Sequence, residues 1–338
     1  MQELHITPSD YHYDYGPILS YNCLFNFILG ARGVGKTYGA KKLTLKKFIK
    51  NGDEFIYLRR YKSEFDHGKN KTFFDAIIKN DEFPNRELTV DGDHYYLDGV
   101  RCGSAIPLST SRGLKSMDFS KVKYIIFDEF IISNNSRTKY LPDEVSVFLD
   151  FYETVARDRD VIVLFLSNTV TIVNPYFLYF NLHPQRGKII AKNDIAVELN
   201  LNDRYTEHKQ NTRFGKLTKG SEYADYAYLN EFYEDTPDFI GSMPAGCQYS
   251  FTAIFNGREF GFWIDHNEGY MYMNNRVDPY AIRYAFTHLD FVEGSTLVRS
   301  WIASERLMAV REYFNYGRVR FETHDTKNAF MQIMQKIR

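Results

Sequence analysis

The sequence predicts an α/β chain built on a mostly parallel sheet, followed by a smaller α+β domain. Three observations carry this. Short, nearly continuous apolar runs alternate with helical patterns through the first 200 residues. The composition then turns polar from Asn200 to Gly220, rich in Asn, Thr, Lys and Arg. Beyond it, two strand-like runs flank Asn256-Gly257, a strong hairpin signal.

The apolar runs are Leu24–Leu29, Phe55–Leu58, Tyr124–Phe127 and Val161–Leu166. None alternates, as expected of strands buried on both faces of a parallel sheet. Helical patterns lie between them, at Lys36–Ile49 and Asp143–Arg157. Strand-then-helix repetition places helices on both faces of the sheet. In the second domain the hairpin is Tyr249–Phe255 and Glu259–Asp265, with a third strand at Tyr270–Met273 after the turn at Asn267–Gly269. Helices are expected at Leu297–Phe314 and Thr326–Ile337, with a short strand at Val319–Phe321 between them. The resulting division is 1–205, a linker subdomain over 206–235, and 236–338. No internal repeat or low-complexity tract interrupts it.

Composition excludes several classes. The 338 residues are 44% hydrophobic and 25% charged, with a net charge of −1, so no global field draws the chain to nucleic acid or membrane. Any DNA contact has to come from local patches such as Lys115, Lys121 and Lys123 or Arg204, Lys209, Arg213, Lys216 and Lys219. Such patches would contact phosphates and bind independently of sequence. Aromatics reach 17%, mostly Tyr and Phe, and are read as core filling before base stacking. Cys23, Cys102 and Cys247 are too far apart for a disulfide framework or a metal site, which fits a reducing cytosol. No apolar stretch is long enough to span a bilayer, and the N-terminus lacks a signal-peptide pattern. A soluble intracellular protein is expected.

Gly30-Ala31-Arg32-Gly33-Val34-Gly35-Lys36-Thr37 matches the phosphate-loop pattern G-x-x-x-x-G-K-[ST] at every fixed position. A chance match in a chain of this length is on the order of one in a hundred. The motif also follows an apolar strand and opens a helix, which is the setting it requires. Glycines let backbone N–H groups converge on phosphate oxygens, and the helix N-terminus adds its partial positive charge. Lys36 is expected to reach the β- and γ-phosphates of ATP, and Thr37 to coordinate Mg²⁺.

Tyr124-Ile125-Ile126-Phe127-Asp128-Glu129 is an apolar strand ending in two acids. Ligands of open α/β sheets bind at such carboxyl ends. Asp128 is assigned to Mg²⁺, and Glu129 to polarising the water that attacks the γ-phosphate. An adjacent Glu favours an additional-strand ATPase over a GTPase, and no N-K-x-D guanine motif is present. Val161–Leu166 ends in Ser167-Asn168, a polar pair suited to sensing the γ-phosphate. P-loop enzymes commonly complete the site with an arginine, often from a neighbouring molecule. Arg157 and Arg159 are candidates for facing a neighbour, and Arg59 and Arg60 for gating Glu129.

These residues resemble a family. GARGVGKT and FIYLRRY within Phe27–Arg60, AIPLS at Ala105–Ser109, IIFDEF at Ile125–Phe130 and LSNTVTIVNPYF at Leu166–Phe177 are similar to the genome-packaging ATPases of the phi-twenty-nine-like protein-primed podophages. TRFGKL at Thr212–Leu217 and WIDHNEGYMY at Trp263–Tyr272 extend the likeness into the second domain, so it covers most of the chain in order. The resemblance implies a P-loop additional-strand ATPase domain, a linker subdomain and an RNase H-like vestigial nuclease domain that does not cut. It implies a pentameric ring on the portal of a prohead, with a packaging RNA as scaffold. The ring would translocate double-stranded DNA in the host cytoplasm. By position it puts the trans-acting arginine on Arg157, the trans-acting lysine on Lys115 and the arginine that toggles the catalytic glutamate on Arg59. Asp265, at the end of the second hairpin strand, lacks convincing partner acids and is read as structural. The alternatives are a helicase or other nucleic-acid-dependent P-loop ATPase, a small-molecule kinase, and a non-enzymatic DNA-binding module.

Overall fold

A computed structural model describes residues 13–30, 32–66, 68, 70–114, 117–132, 138–168, 174–180, 182, 184–185, 187–200, 211–218 and 241–336. The chain forms two compact units. One comprises Met1–Ile131, Leu141–Val170 and Pro184–Asn230; the other comprises Ile132–Tyr140, Thr171–His183 and Glu231–Arg338. Two short stretches that the linear division assigns to the first domain therefore pack with the second unit. No helix among the described residues is long and apolar enough to cross a membrane.

The first unit opens with α1 (Gly16–Leu19), β1 (Phe25–Gly30), α2 (Lys36–Asn51), β2 (Glu54–Arg59) and α3 (Asp75–Lys79). A meander follows of β3 (Leu88–Asp91), β4 (His94–Leu97) and β5 (Val100–Pro107). Then come β6 (Val122–Asp128), α4 (Glu144–Ala156) and β7 (Ile162–Ser167). The second unit takes α5 (Pro175–Phe180), and the first unit ends its sheet with β8 (Ile189–Lys192) and β9 (Ile195–Asn200). These nine strands form one sheet in the order β3-β4-β5-β2-β6-β7-β1-β9-β8. From β5 to β9 every neighbouring pair is parallel. The antiparallel additions sit at the two edges.

The four predicted strands occupy the middle of this sheet, and their continuous hydrophobicity follows from burial on both faces. All six residues of β1 are buried. Phe27 stacks on Phe165 with centroids 4.1 Å apart, and Phe127 lies against Phe148 of α4. On the other face Phe55, Phe73 and Tyr95 stack together. Phe and Tyr dominate the largest fully buried side chains, so much of the aromatic excess is core.

A short helix, α6 (Arg213–Thr218), is described from the predicted linker; residues 206–210 and 219–235 lie outside the described residues. The second unit contains β10 (Gln248–Phe255), β11 (Arg258–Asp265), β12 (Tyr270–Asn274), β13 (Arg283–Ala285) and β14 (Ser295–Leu297). Helix α7 (Glu305–Asn315), strand β15 (Val319–Phe321) and helix α8 (His324–Lys336) complete it. Its sheet runs β14-β13-β10-β11-β12-β15. β10, β11 and β12 are antiparallel, while β13, β14 and β15 each pair parallel to a neighbour. Leu307, Val310 and Phe314 of α7 and Phe330 and Ile333 of α8 bury against Phe251, Phe262, Met271 and Met273.

The predicted helix at Leu297–Phe314 is shorter than expected. Leu297 is in β14, Trp301–Ala303 is a 3₁₀ turn, and α7 begins only at Glu305. Two serines explain the break. Ser300 and Ser304 each accept a backbone N–H, from Ile302 and Leu307, so each starts a new element.

Candidate active site

The P-loop residues lie where β1 ends and α2 begins. Gly33 and Gly35 have φ of 95° and 73°, a region open mainly to glycine. At Gly30 a Cβ would lie 2.6 Å from the carbonyl oxygen of Asn200 on β9, so the strand pairing itself requires glycine there. Ala31 lies outside the described residues; Arg32 is exposed and Val34 is buried. Tyr15 donates its hydroxyl to the Lys36 carbonyl at 2.7 Å, holding the first turn of α2.

The predicted side chains converge. Lys36 Nζ donates to Gly30 O at 2.8 Å and to Asn168 Oδ1 at 2.9 Å. Thr37 Oγ1 donates to Asp128 Oδ2 at 3.0 Å. Asn168 lies just beyond buried Ser167 at the tip of β7, which runs between β1 and β6. The sheet order is what brings these motifs together, since adjacent parallel strands put their carboxyl ends side by side.

Arg59 and Arg60 divide the work at the end of β2. Arg59 Nη2 contacts Glu129 Oε2 at 2.7 Å and Glu64 Oε1 at 2.6 Å. Arg60 does not reach the Glu129 carboxylate. It is buried in a bidentate pair with Glu144 at 2.6 and 2.9 Å, and donates to the carbonyls of Glu129 and Phe130. One arginine therefore holds the side chain of Glu129 and the next holds its main chain. Glu129 itself has φ of 54°, a strained conformation for a non-glycine residue, kept by these surroundings.

Arg157 and Arg159 also separate. The guanidinium of Arg159 is spent on the carbonyls of Phe119, Ser120, Val122 and Val155. Arg157 is exposed at the C-terminus of α4, with φ 53° and ψ −109°. No hydrogen bond or ion pair among the described residues holds its guanidinium. Glycine would relieve that backbone, so an arginine there points to a demand on the side chain. Lys115 lies outside the described residues.

The sequence does not single out Tyr15, the Arg60–Glu144 pair or Tyr57, whose hydroxyl donates to Asp128 Oδ2 at 2.8 Å. The signal available was a polar-tipped or charged residue inside an otherwise apolar element, as with Tyr57 in Phe55–Leu58.

Comparison with known proteins gives the family. A family model described as "Podovirus DNA encapsidation protein (Gp16)" matches residues 8–338. The chain belongs to this family. The "DNA packaging protein" of Bacillus phage phi29 is 36% identical over 324 residues, 95% of this chain and 96% of the relative. DNA packaging is therefore the function of the present encapsidation protein. The solved "bacteriophage Phi-29 viral genome packaging motor assembly" matches with a TM-score of 0.61 and 35% identity, covering 96% of this chain and 99% of that one. The N-terminal domain of the phi29 DNA packaging ATPase matches with a TM-score of 0.52 and 43% identity, covering 56% of this chain and 95% of that one.

Burial pushes the Lys36 ammonium down to about 7, although nearby Asp128 favours its charged form. A bound triphosphate would strongly favour the charged form. This lowering predicts that Lys36 is partly neutral in the free protein at pH 8, so ATP binding should take up protons. Calorimetric titration in two buffers of different ionisation enthalpy measures this. Equal binding enthalpies in both would contradict the lowered pKa of Lys36.

Proposed function

We propose that this encapsidation protein is the ATP-hydrolysing subunit of a ring motor that drives double-stranded phage DNA into a preformed prohead. The observation that carries this is the convergence of Thr37 on Asp128, Lys36 on Asn168 and Arg59 on Glu129 at the tips of neighbouring parallel strands. The position of β7 between β1 and β6 supports the additional-strand class of P-loop ATPase.

In this reading the amides of residues 30–37 and Lys36 hold the ATP phosphates. The Thr37 hydroxyl and the Asp128 carboxylate are hard oxygen donors 3.0 Å apart, the donor chemistry that Mg²⁺ takes. When bound, Mg²⁺ neutralises charge on the phosphate oxygens. Glu129 orients the attacking water once Arg59 releases its carboxylate. Ser167 and Asn168 report the γ-phosphate, with Asn168 able to pass that state to Lys36 through their hydrogen bond. Arg157 and Lys115 are assigned to the neighbouring subunit's nucleotide in a homopentameric ring. The match to the phi29 motor assembly supports a multi-subunit motor. Packaging RNA and the portal of the prohead are the proposed attachment partners, engaged transiently in the host cytoplasm.

The second unit is proposed to be an RNase H-like domain without cleavage. Its run β12-β11-β10-β13-β14, three antiparallel strands followed by two parallel ones, supports the fold. Its buried acids are committed to turns. Asp265 Oδ1 accepts the N–H groups of Asn267 and Glu268, while Asp290 accepts Gly257 N–H and the Thr287 hydroxyl.

The experiment is packaging in vitro with purified proheads, ATP and duplex DNA. The expected result is ATP-dependent protection of the DNA from added nuclease, with DNA-stimulated hydrolysis and no strand separation. Unwinding without protection would favour a helicase, and phosphate transfer to a small acceptor a kinase.

A further inference from the structure

Among the described residues, three hydrogen-bond donors surround the carboxylate of Asp128. Oδ2 accepts Thr37 Oγ1 at 3.0 Å and the Tyr57 hydroxyl at 2.8 Å. Oδ1 accepts the Glu129 N–H at 3.1 Å. Arg59 Nη1 stands 3.9 Å from Oδ2 and adds charge without a close bond. Of the three donors, Thr37 is the one whose oxygen is also assigned to the hard cation. The Glu129 amide and the Tyr57 phenol have no such second task.

Packing does not explain the Tyr57 hydroxyl. The ring meets Phe73 and Phe65 edge-on, with centroids 4.9 and 6.0 Å away, and Lys41 Nζ lies 5.7 Å from its centroid. Phenylalanine would fill that space equally well and avoid burying a polar atom. Tyr57 lies on β2 in register with Ile126 of β6, two residues before Asp128, so rigid sheet pairing aims the phenol at the carboxylate.

We propose that Tyr57 is a positioning residue for the metal-side acid, keeping Asp128 Oδ2 oriented when the Thr37 hydroxyl turns to Mg²⁺. The inference rests on the reading of Thr37 and Asp128 as the Mg²⁺ pair. The expected consequence is a defect in the use of Mg²⁺, with phosphate-loop affinity left in place.

The test titrates a fluorescent ATP analogue into the full-length protein without DNA, first in EDTA and then across a Mg²⁺ series. Tyr57→Phe should keep the EDTA affinity within about twofold and raise the half-saturating Mg²⁺ roughly three- to tenfold, as for the loss of one hydrogen bond to a carboxylate that keeps its others. Asp128→Asn is run in parallel, and melting temperatures are recorded for both. A shifted Mg²⁺ midpoint in Asp128→Asn with a wild-type midpoint in Tyr57→Phe overturns the role of Tyr57 alone, whatever happens to its melting temperature. A wild-type midpoint in Asp128→Asn overturns the underlying assignment of the metal pair. Tyr57→Leu, which removes ring and hydroxyl together, should match the Mg²⁺ defect of Tyr57→Phe and add a fall in melting temperature.

Discussion

Glu129→Gln is expected to bind ATP normally and to hydrolyse it about 10²–10⁴ times more slowly, the usual contribution of a positioned general base. The amide keeps the length and shape of the side chain but cannot accept the water's proton. In the proposed site the phosphates are gripped elsewhere, by the loop and by Lys36, whose Nζ lies 2.8 Å from Gly30 O. Affinity and turnover should therefore separate, which is the signature of an interaction made only in the transition state. Equilibrium nucleotide binding and steady-state hydrolysis with saturating duplex DNA measure the two. Turnover near the wild-type rate would remove Glu129 from the role of base, whatever its contact with Arg59.

The parts of this site that could be read from sequence are those where one residue type in one local setting has few alternatives. The phosphate loop fixes its own backbone through Gly33 and Gly35, so motif and conformation are the same information. The β1, β2, β6 and β7 strands were legible because burial on both faces removes polar residues from all but their ends. The strands β8, β13 and β14, at or next to a sheet edge, have three or four residues each, too short for any periodicity to register. Long-range pairing was likewise invisible. Arg60 looks like a surface arginine until Glu144 arrives from a helix 84 residues later to neutralise it in the interior. Arg157 and Arg159 look interchangeable in sequence, yet the turn after α4 ties one guanidinium to four carbonyls and leaves the other exposed. That distinction lies in the geometry of the turn.

Arg157→Ala should leave nucleotide binding by the isolated subunit intact and lower DNA-stimulated hydrolysis by about 10³–10⁵, the measured range for an arginine finger. The side chain is exposed at the end of a 13-residue helix, so its removal leaves no cavity. Alanine remains strained at φ 53°, and Arg157→Gly, which suits that backbone, should show the same loss of rate with higher stability. In a cyclic ring the interfaces are head-to-tail, so one subunit's arginine can face the next subunit's phosphates. Mixing Arg157→Ala subunits with Lys36→Ala subunits then restores some complete sites, each pairing an intact loop with an intact arginine. Hydrolysis should recover partially in the mixture, although neither variant hydrolyses alone. If mixed rings assemble, as checked by co-purification of differently tagged subunits, and hydrolysis stays absent, Arg157 does not act across the interface. A subunit that loses nucleotide binding along with Arg157 would instead assign the residue to its own site.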